Sequence, residues 1–177
     1  MQIVLAQAYL KDKKMDELVR RLTELGVTRW IPFMARRSVP TPDEKRGLAR
    51  HQRWQKISLE AVKQCRRSRP MTIDAPVSFA QALEMAQSHD LKLFFWEGVG
   101  AAPLTRPAGQ PGPKRVFVMV GPEGGFDADE QRRAQAQGFC MTGMGPRILR
   151  AETATVAACT LIQFLFGDMG QNVLDNP

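Results

Sequence analysis

The sequence predicts an α/β domain built on a mainly parallel sheet with helices on both faces. Three observations carry this. Short strand-like apolar runs alternate with helical periodicities from end to end. One run, "KRVFVMV" at 114–120, has the make-up of a strand buried on both faces. Glycine-rich turns follow two of the late strands, at the carboxyl ends where such sheets bind ligands.

Each element has its own signal. "QIVLAQAYL" opens the chain as a short strand. "KKMDELVRRLTELGV" places Met15, Leu18, Val19, Leu22 and Leu25 at helical spacing, with Gly26 as the stop. "TRWIPFM" reads as a second strand, and Pro40 and Pro42 mark a loop in which Thr41 or Asp43 can cap the next helix. That helix is long and basic. Leu48, Trp54, Ile57, Leu59, Ala61 and Val62 are its expected apolar contacts, and Pro70 its end. "MTIDAPV" reads as an edge strand or extended segment, "FAQALEMAQSH" as a helix and "LKLFFW" as a strand. Residues 98–113, rich in Gly and Pro, read as a mobile surface loop. After "KRVFVMV" come "GPEGGF", a helix from about Asp127 to Gln137, the strand "GFCMTGM" and a final helix over "TATVAACTLIQFLF".

The chain has 177 residues, enough for one domain with a full core. No charged region followed by an apolar core opens it, and its longest apolar stretch, Thr155–Phe166, is too short to span a bilayer. Cys65, Cys140 and Cys159 are odd in number and widely spaced, as expected of reduced thiols in a cytoplasmic protein. His51 and His89 have no partners at metal-ligand spacing, so no metal is expected. The net charge of +7 is localised. Between Lys45 and Arg69 nine basic residues face one acid, Glu60, which gives that segment +8 and leaves −1 for the rest. A basic block on a near-neutral body suggests an anionic partner such as RNA; the plainer reading is a solvated helix that improves solubility.

Two glycine loops carry the chemistry. In "VMVGPEGGF", Gly121, Gly124 and Gly125 let a ligand approach the backbone closely, and Pro122 stiffens the turn. Asp127 can cap the following helix with Glu130 completing a capping box. The Lys and Ser/Thr of the NTPase phosphate loop are missing, as is the dinucleotide fingerprint. The alternative is a mere tight turn. In "GMGPRILRAETA", Gly143, Gly145 and Pro146 expose backbone that can read the edge of a flat heterocycle such as adenine. Ile148 and Leu149 can wall an apolar pocket beside it. Arg150 and Glu152 fall at the start of the last helix, where catalysis and a structural salt bridge are both open readings.

"VMVGPEGGFDADE" followed by "GMGPRILRAETATVAA" closely resembles the RsmE family of ribosomal RNA methyltransferases, of the SPOUT class. "KMDELVRRLTELGVTRWIPF" and "RWQKISLEAVKQCRRSRPMTI" are similar to its upstream segments, so the resemblance runs from about residue 3 to residue 170. It implies a SPOUT-type fold with a C-terminal trefoil knot over roughly 115–170, and methyl transfer from S-adenosylmethionine to N3 of a uridine in small-subunit (16S) ribosomal RNA. It implies a cofactor site made by Val120, Gly121, Pro122, Glu123, Gly124, Gly125, Gly143, Met144, Gly145, Ile148, Leu149, Thr153 and Ala154. Met144 stands where the family's Leu is expected. The fold class also implies a homodimer that buries the small-residue final helix. The family begins with a PUA-like RNA-binding domain; this chain begins where that domain has ended, so a single methyltransferase domain over 1–177 is expected.

On this reading Arg150 stabilises charge on the base carbonyls, and Glu152 acts as base or holds the arginine. Arg50, Arg53, Lys56, Arg66 and Arg69 hold RNA phosphates, Trp54 stacks a base, and Lys11, Lys13 and Lys14 add to the surface. The competing readings are a non-catalytic RNA-binding or assembly module and a nucleotide-binding regulatory protein.

Overall fold

The computed structural model describes residues 1–170 apart from 12, 40–43, 99, 107, 108 and 110. In chain order the elements are β1 (Gln2–Ala8), α1 (Lys14–Glu24), β2 (Arg29–Met34), α2 (Glu44–Cys65), β3 (Thr72–Ile73), β4 (Val77–Ser78), α3 (Phe79–Met85), β5 (Leu91–Phe95), β6 (Ala102–Pro103), β7 (Arg115–Val120), α4 (Ala128–Ala136), β8 (Cys140–Gly143) and α5 (Ala151–Phe166). The strands form one sheet in the order β3-β2-β1-β7-β5-β8-β6, with β4 also on β2, and every pairing is parallel. The expected fold class is the observed one.

Alternation along the strands builds two cores. Val116, Val118 and Val120 of β7 point to one face, with Ile3 and Leu5 of β1, and pack under α1, α2 and α5. Phe117 and Met119 point to the other, with Val4, Ala6 and Ala8, and pack under α3 and α4. This is why "VFVMV" carries no polar residue: both faces are covered. Helix α1 buries the expected row Met15, Leu18, Val19 and Leu22. On α5 the buried row is Ala151, Thr155, Ala158, Cys159 and Ile162, and its small members let the helix lie close to the sheet. Asp127 and Glu130 form the expected capping box on α4. Ser78 and Gln81 form another on α3, which the sequence reading did not anticipate.

Four expectations are corrected. Helix α2 ends at Cys65 rather than at Pro70, because Arg66 turns left-handed at φ 59° and Arg67 donates to the carbonyls of Thr23 and Val27 at 2.6 and 3.0 Å. Leu48 and Leu59 lie on the outer side of α2 and are exposed. The 98–113 stretch contains a strand, β6, paired with β8. The fourth concerns Trp54, which is 1% exposed and cannot stack an RNA base. Its ring meets Trp30 edge-on at 4.9 Å, and its Nε1 donates to Asp16 Oδ1 at 2.8 Å. Its basic neighbours suggest a surface platform, but its helical phase puts it on the inward side. Thr41 and Asp43, the expected caps of α2, lie outside the described residues. Trp54→Ala is expected to lower the unfolding free energy by about 3–5 kcal/mol, the usual cost of a deleted core aromatic, checked by chemical denaturation.

Candidate cofactor cleft

Strands β7, β5 and β8 stand side by side in the sheet and run parallel, so the loops that leave their carboxyl ends share one edge. Ligands of such sheets bind in a crevice outside the carboxyl ends. The crevice is a cleft of about 410 Å³. It is lined by three consecutive strand ends: Phe95, Trp96 and Glu97 after β5, Val120 to Glu123 with Gly125 and Phe126 after β7, and Met144, Gly145 and Arg147 to Arg150 after β8. Ala151 and Ala154 of α5 and Lys14 of α1 close it.

Most of the expected cofactor residues meet here: Val120, Gly121, Pro122, Glu123, Gly125, Met144, Gly145, Ile148, Leu149 and Ala154. Three do not line it. The Gly124 carbonyl turns outward to accept from Arg37 Nη1 at 3.0 Å. Gly143 ends β8 against Pro103. Thr153 is exposed, because a helix that turns Ala151 and Ala154 to the cleft turns Thr153 away. The glycine that needs its freedom in the first loop is Gly125, at φ 66°, where a Cβ would come within 2.9 Å of Glu97 Oε1. Ile148 stands 83% exposed at the rim.

The charged groups divide into engaged and free. Lys14 Nζ lies 3.0 Å from Glu123 Oε1 and 3.2 Å from Glu152 Oε2, so one ammonium serves a carboxylate on the Gly121 loop and another in the first turn of α5. Glu123 Oε1 also accepts from the Lys11 amide at 3.1 Å. Glu152 Oε2 is buried, and Lys14 sits out of line for a hydrogen bond to it. Lys14 is therefore part of the cleft rather than of a free basic surface. Arg150 is the N-cap of α5, exposed, and without an ion-pair partner among the described residues. Glu152 is bound by Lys14, so an Arg150–Glu152 salt bridge is not the arrangement found.

The sequence reading missed the β5 loop and Gln7. Phe95, Trp96 and Glu97 form a third wall, and Gly98 leaves room for the Trp96 ring, which lies where a side chain on residue 98 would stand. The signal was a Trp-Glu-Gly run directly after a strand. Gln7 is fully buried in β1, and its signal was a lone polar residue inside "VLAQAYL".

A sequence model of the RNA methyltransferase domain matches residues 1–163. The ribosomal RNA small subunit methyltransferase E of Aquifex aeolicus is 35% identical over 161 residues, 90% of this chain and 67% of its own length. The chain belongs to this family of RNA methyltransferases. The Bacillus subtilis ribosomal RNA small subunit methyltransferase E is 32% identical, over 92% of this chain and 66% of its own length. The crystal structure of a ribosomal RNA small subunit methyltransferase E from Neisseria gonorrhoeae bound to S-adenosyl methionine superposes with a TM-score of 0.85 at 32% identity, covering 96% of this chain and 68% of that one. The chain thus spans about two thirds of the length of these family members, and its α/β fold is that of the SPOUT methyltransferases.

The Lys14 tie has a pH signature. Burial works to raise the Glu123 carboxyl, but hydrogen bonds from its own amide, Lys14 and Lys11 outweigh it and hold the group below its ordinary value of 4.5. The Lys14 ammonium is raised above 10.5, chiefly by its hydrogen bond to Glu123. A depressed acid stabilises the fold above its unfolded value and loses that contribution as pH falls through the folded one; a raised base does so below its unfolded value and loses it as pH rises. The melting temperature of Glu123→Gln should therefore lie below wild type between about pH 5 and pH 10, with the gap closing on either side, as scanning calorimetry would show.

Proposed function

We propose that this chain is the methyl-transferring domain of an enzyme that takes a methyl group from S-adenosylmethionine to small-subunit ribosomal RNA, at N3 of a uridine. The observation that carries the reading is the cleft itself. Three loops at adjacent strand ends converge on it, in a chain whose fold overlays that of a relative bound to S-adenosyl methionine.

The residues present fit that molecule. The loops offer backbone from Gly121, Gly125 and Gly145, apolar walls from Val120, Met144 and Leu149, and the carboxylates of Glu97 and Glu123 for a ligand that carries cationic groups and hydroxyls. S-adenosylmethionine supplies an electrophilic methyl on a sulfonium, displaced in line, in chemistry that calls for no metal. The protein's own work is to orient and to manage a proton. Uridine N3–H must lose its proton, and the base carbonyls gain charge as it leaves. Arg150, exposed in the cleft lining and without an ion-pair partner among the described residues, is the proposed partner of that charge. Glu152, half-buried beside Lys14 in the first turn of α5, is the carboxylate proposed as base. Arg50, Arg53, Lys56, Arg66 and Arg69 are the phosphate contacts proposed on α2 and its exit; Lys56, Arg66 and Arg69 are exposed, while Arg53 is held by Asp16 at 2.9 Å.

A homodimer is part of the proposal. Leu161 and Phe164, the latter 61% exposed, give α5 an apolar outer side that a second copy would cover. The reaction is placed in the cytoplasm, where ribosomes are assembled; no described helix is long and apolar enough to cross a membrane.

Calorimetric titration with S-adenosylmethionine tests the central claim, and the affinity should be indifferent to a chelator. No binding would remove the enzyme reading and favour an RNA-binding module. Where RNA turnover is measured, Arg150→Ala should leave cofactor affinity near wild type and lower the rate by about a hundredfold or more. Joint replacement of Lys56, Arg66 and Arg69 by Ala should flatten the log–log salt dependence of RNA affinity by roughly two units, at about 0.7 per phosphate on a single strand. An unchanged slope would assign these residues to solubility.

A further inference from the structure

The cofactor loop is held from below by a polar contact inside the core. Gln7 lies on the side of β1 that Ile3, Leu5 and Tyr9 share, a row otherwise packed against α1, α2 and α5. It is fully buried. Its Nε2 donates to the Ala8 carbonyl at 3.0 Å and to the Gly121 carbonyl at 3.3 Å. Its Oε1 accepts from the Thr155 hydroxyl at 2.5 Å, and that hydroxyl also lies 2.8 Å from the Ala151 carbonyl. The amide has one workable orientation: reversed, its oxygen would face two carbonyls.

The location gives the contact its meaning. Gln7 is the register partner of Val120, the last residue of β7 on the β1–β7 ladder. The backbone ladder stops there, and the Gln7 side chain adds a bond to the next carbonyl, which opens the cofactor loop. Its other end is fixed to α5 one turn from Ala151, which lines the cleft from the opposite side. One side chain thus joins two walls of the cleft. An apolar residue of the same length would fill this place without the cost of desolvating an amide.

We propose that Gln7, acting with Thr155, is a positioning residue for the cofactor: it sets the spacing between the Gly121 loop and the N-terminal turn of α5. This rests on the cleft being the S-adenosylmethionine site. Gln7 touches neither reactant; it acts through Gly121 and Ala151.

The test is calorimetric titration of S-adenosylmethionine into the whole chain, well below the melting temperature of each variant. Gln7→Leu and Thr155→Val should each weaken binding by about tenfold, the scale of one well-placed buried hydrogen bond in a binding wall. Thr155→Ser keeps the hydroxyl and should bind within about twofold of wild type. The double variant should bind no more weakly than Gln7→Leu, since both changes break one contact. Thr160→Val is the control. It removes a hydroxyl bonded to the Val156 carbonyl at 2.9 Å on the same helix, remote from the loop, and should change melting but not affinity. The proposal is overturned if Gln7→Leu and Thr155→Val melt lower yet bind as wild type, or if Thr160→Val weakens binding as much as Thr155→Val. Should Gln7→Leu fail to fold, the Thr155→Val and Thr155→Ser pair decides alone. No binding by wild type would remove the cofactor reading and this proposal with it, whereas wild-type binding matched by the variants removes the proposal only.

Discussion

A parallel sheet sends all its strands' carboxyl ends to one edge, and that constraint organises the molecule. The ladder hydrogen bonds from β1 to β7 and from β7 to β5 fix those ends side by side. The loops that leave them have no freedom to separate. Residues near 95, 121 and 145 therefore meet in one cleft although the chain takes long excursions between them. Neither glycine loop forms a site alone. The β7–β5 and β5–β8 ladders set them on either side of the β5 end, and the cleft lies there.

Two kinds of contact hold that space. Below it, in the core, a neutral amide and a hydroxyl join β1, the Gly121 loop and α5. At its edge a single ammonium is shared by a carboxylate of the Gly121 loop and one from the first turn of α5. The first is dry and directional. The second is partly exposed, so salt and pH reach it. Both originate in the β1–α1 segment, far in sequence from either glycine loop. Arg147 and Arg150, exposed in the cleft lining, have no ion-pair partner among the described residues, and a cation so held can answer to an incoming base rather than to the fold.

Helix α2 shows how one segment serves two demands. Its inward side is anchored by Trp54, packed on Trp30 and tied to Asp16. Its outward side keeps exposed cations such as Lys56 in water. The same basic composition hides a division of labour: Arg67 closes the end of α1, and Arg53 pairs with Asp16 on that helix.

The sequence by itself determined the layer architecture, nearly every element and the two loops of the cleft. These rest on local physics: periodicity, capping chemistry and glycine at turns. Even the cap of α4 was legible, because its two partners lie three residues apart. The tertiary structure decided what depends on partners distant in the chain. It put Trp54 inside, since a helix's inward side is defined only by what packs on it. It gave Glu152 to Lys14 rather than to its near neighbour Arg150, because Lys14 reaches it from another helix. It also made Gln7 part of the site, through a bond to Thr155 that spans 148 residues of sequence. Composition and spacing register neighbours along the chain, whereas these contacts exist only once the sheet has set β1 beside β7.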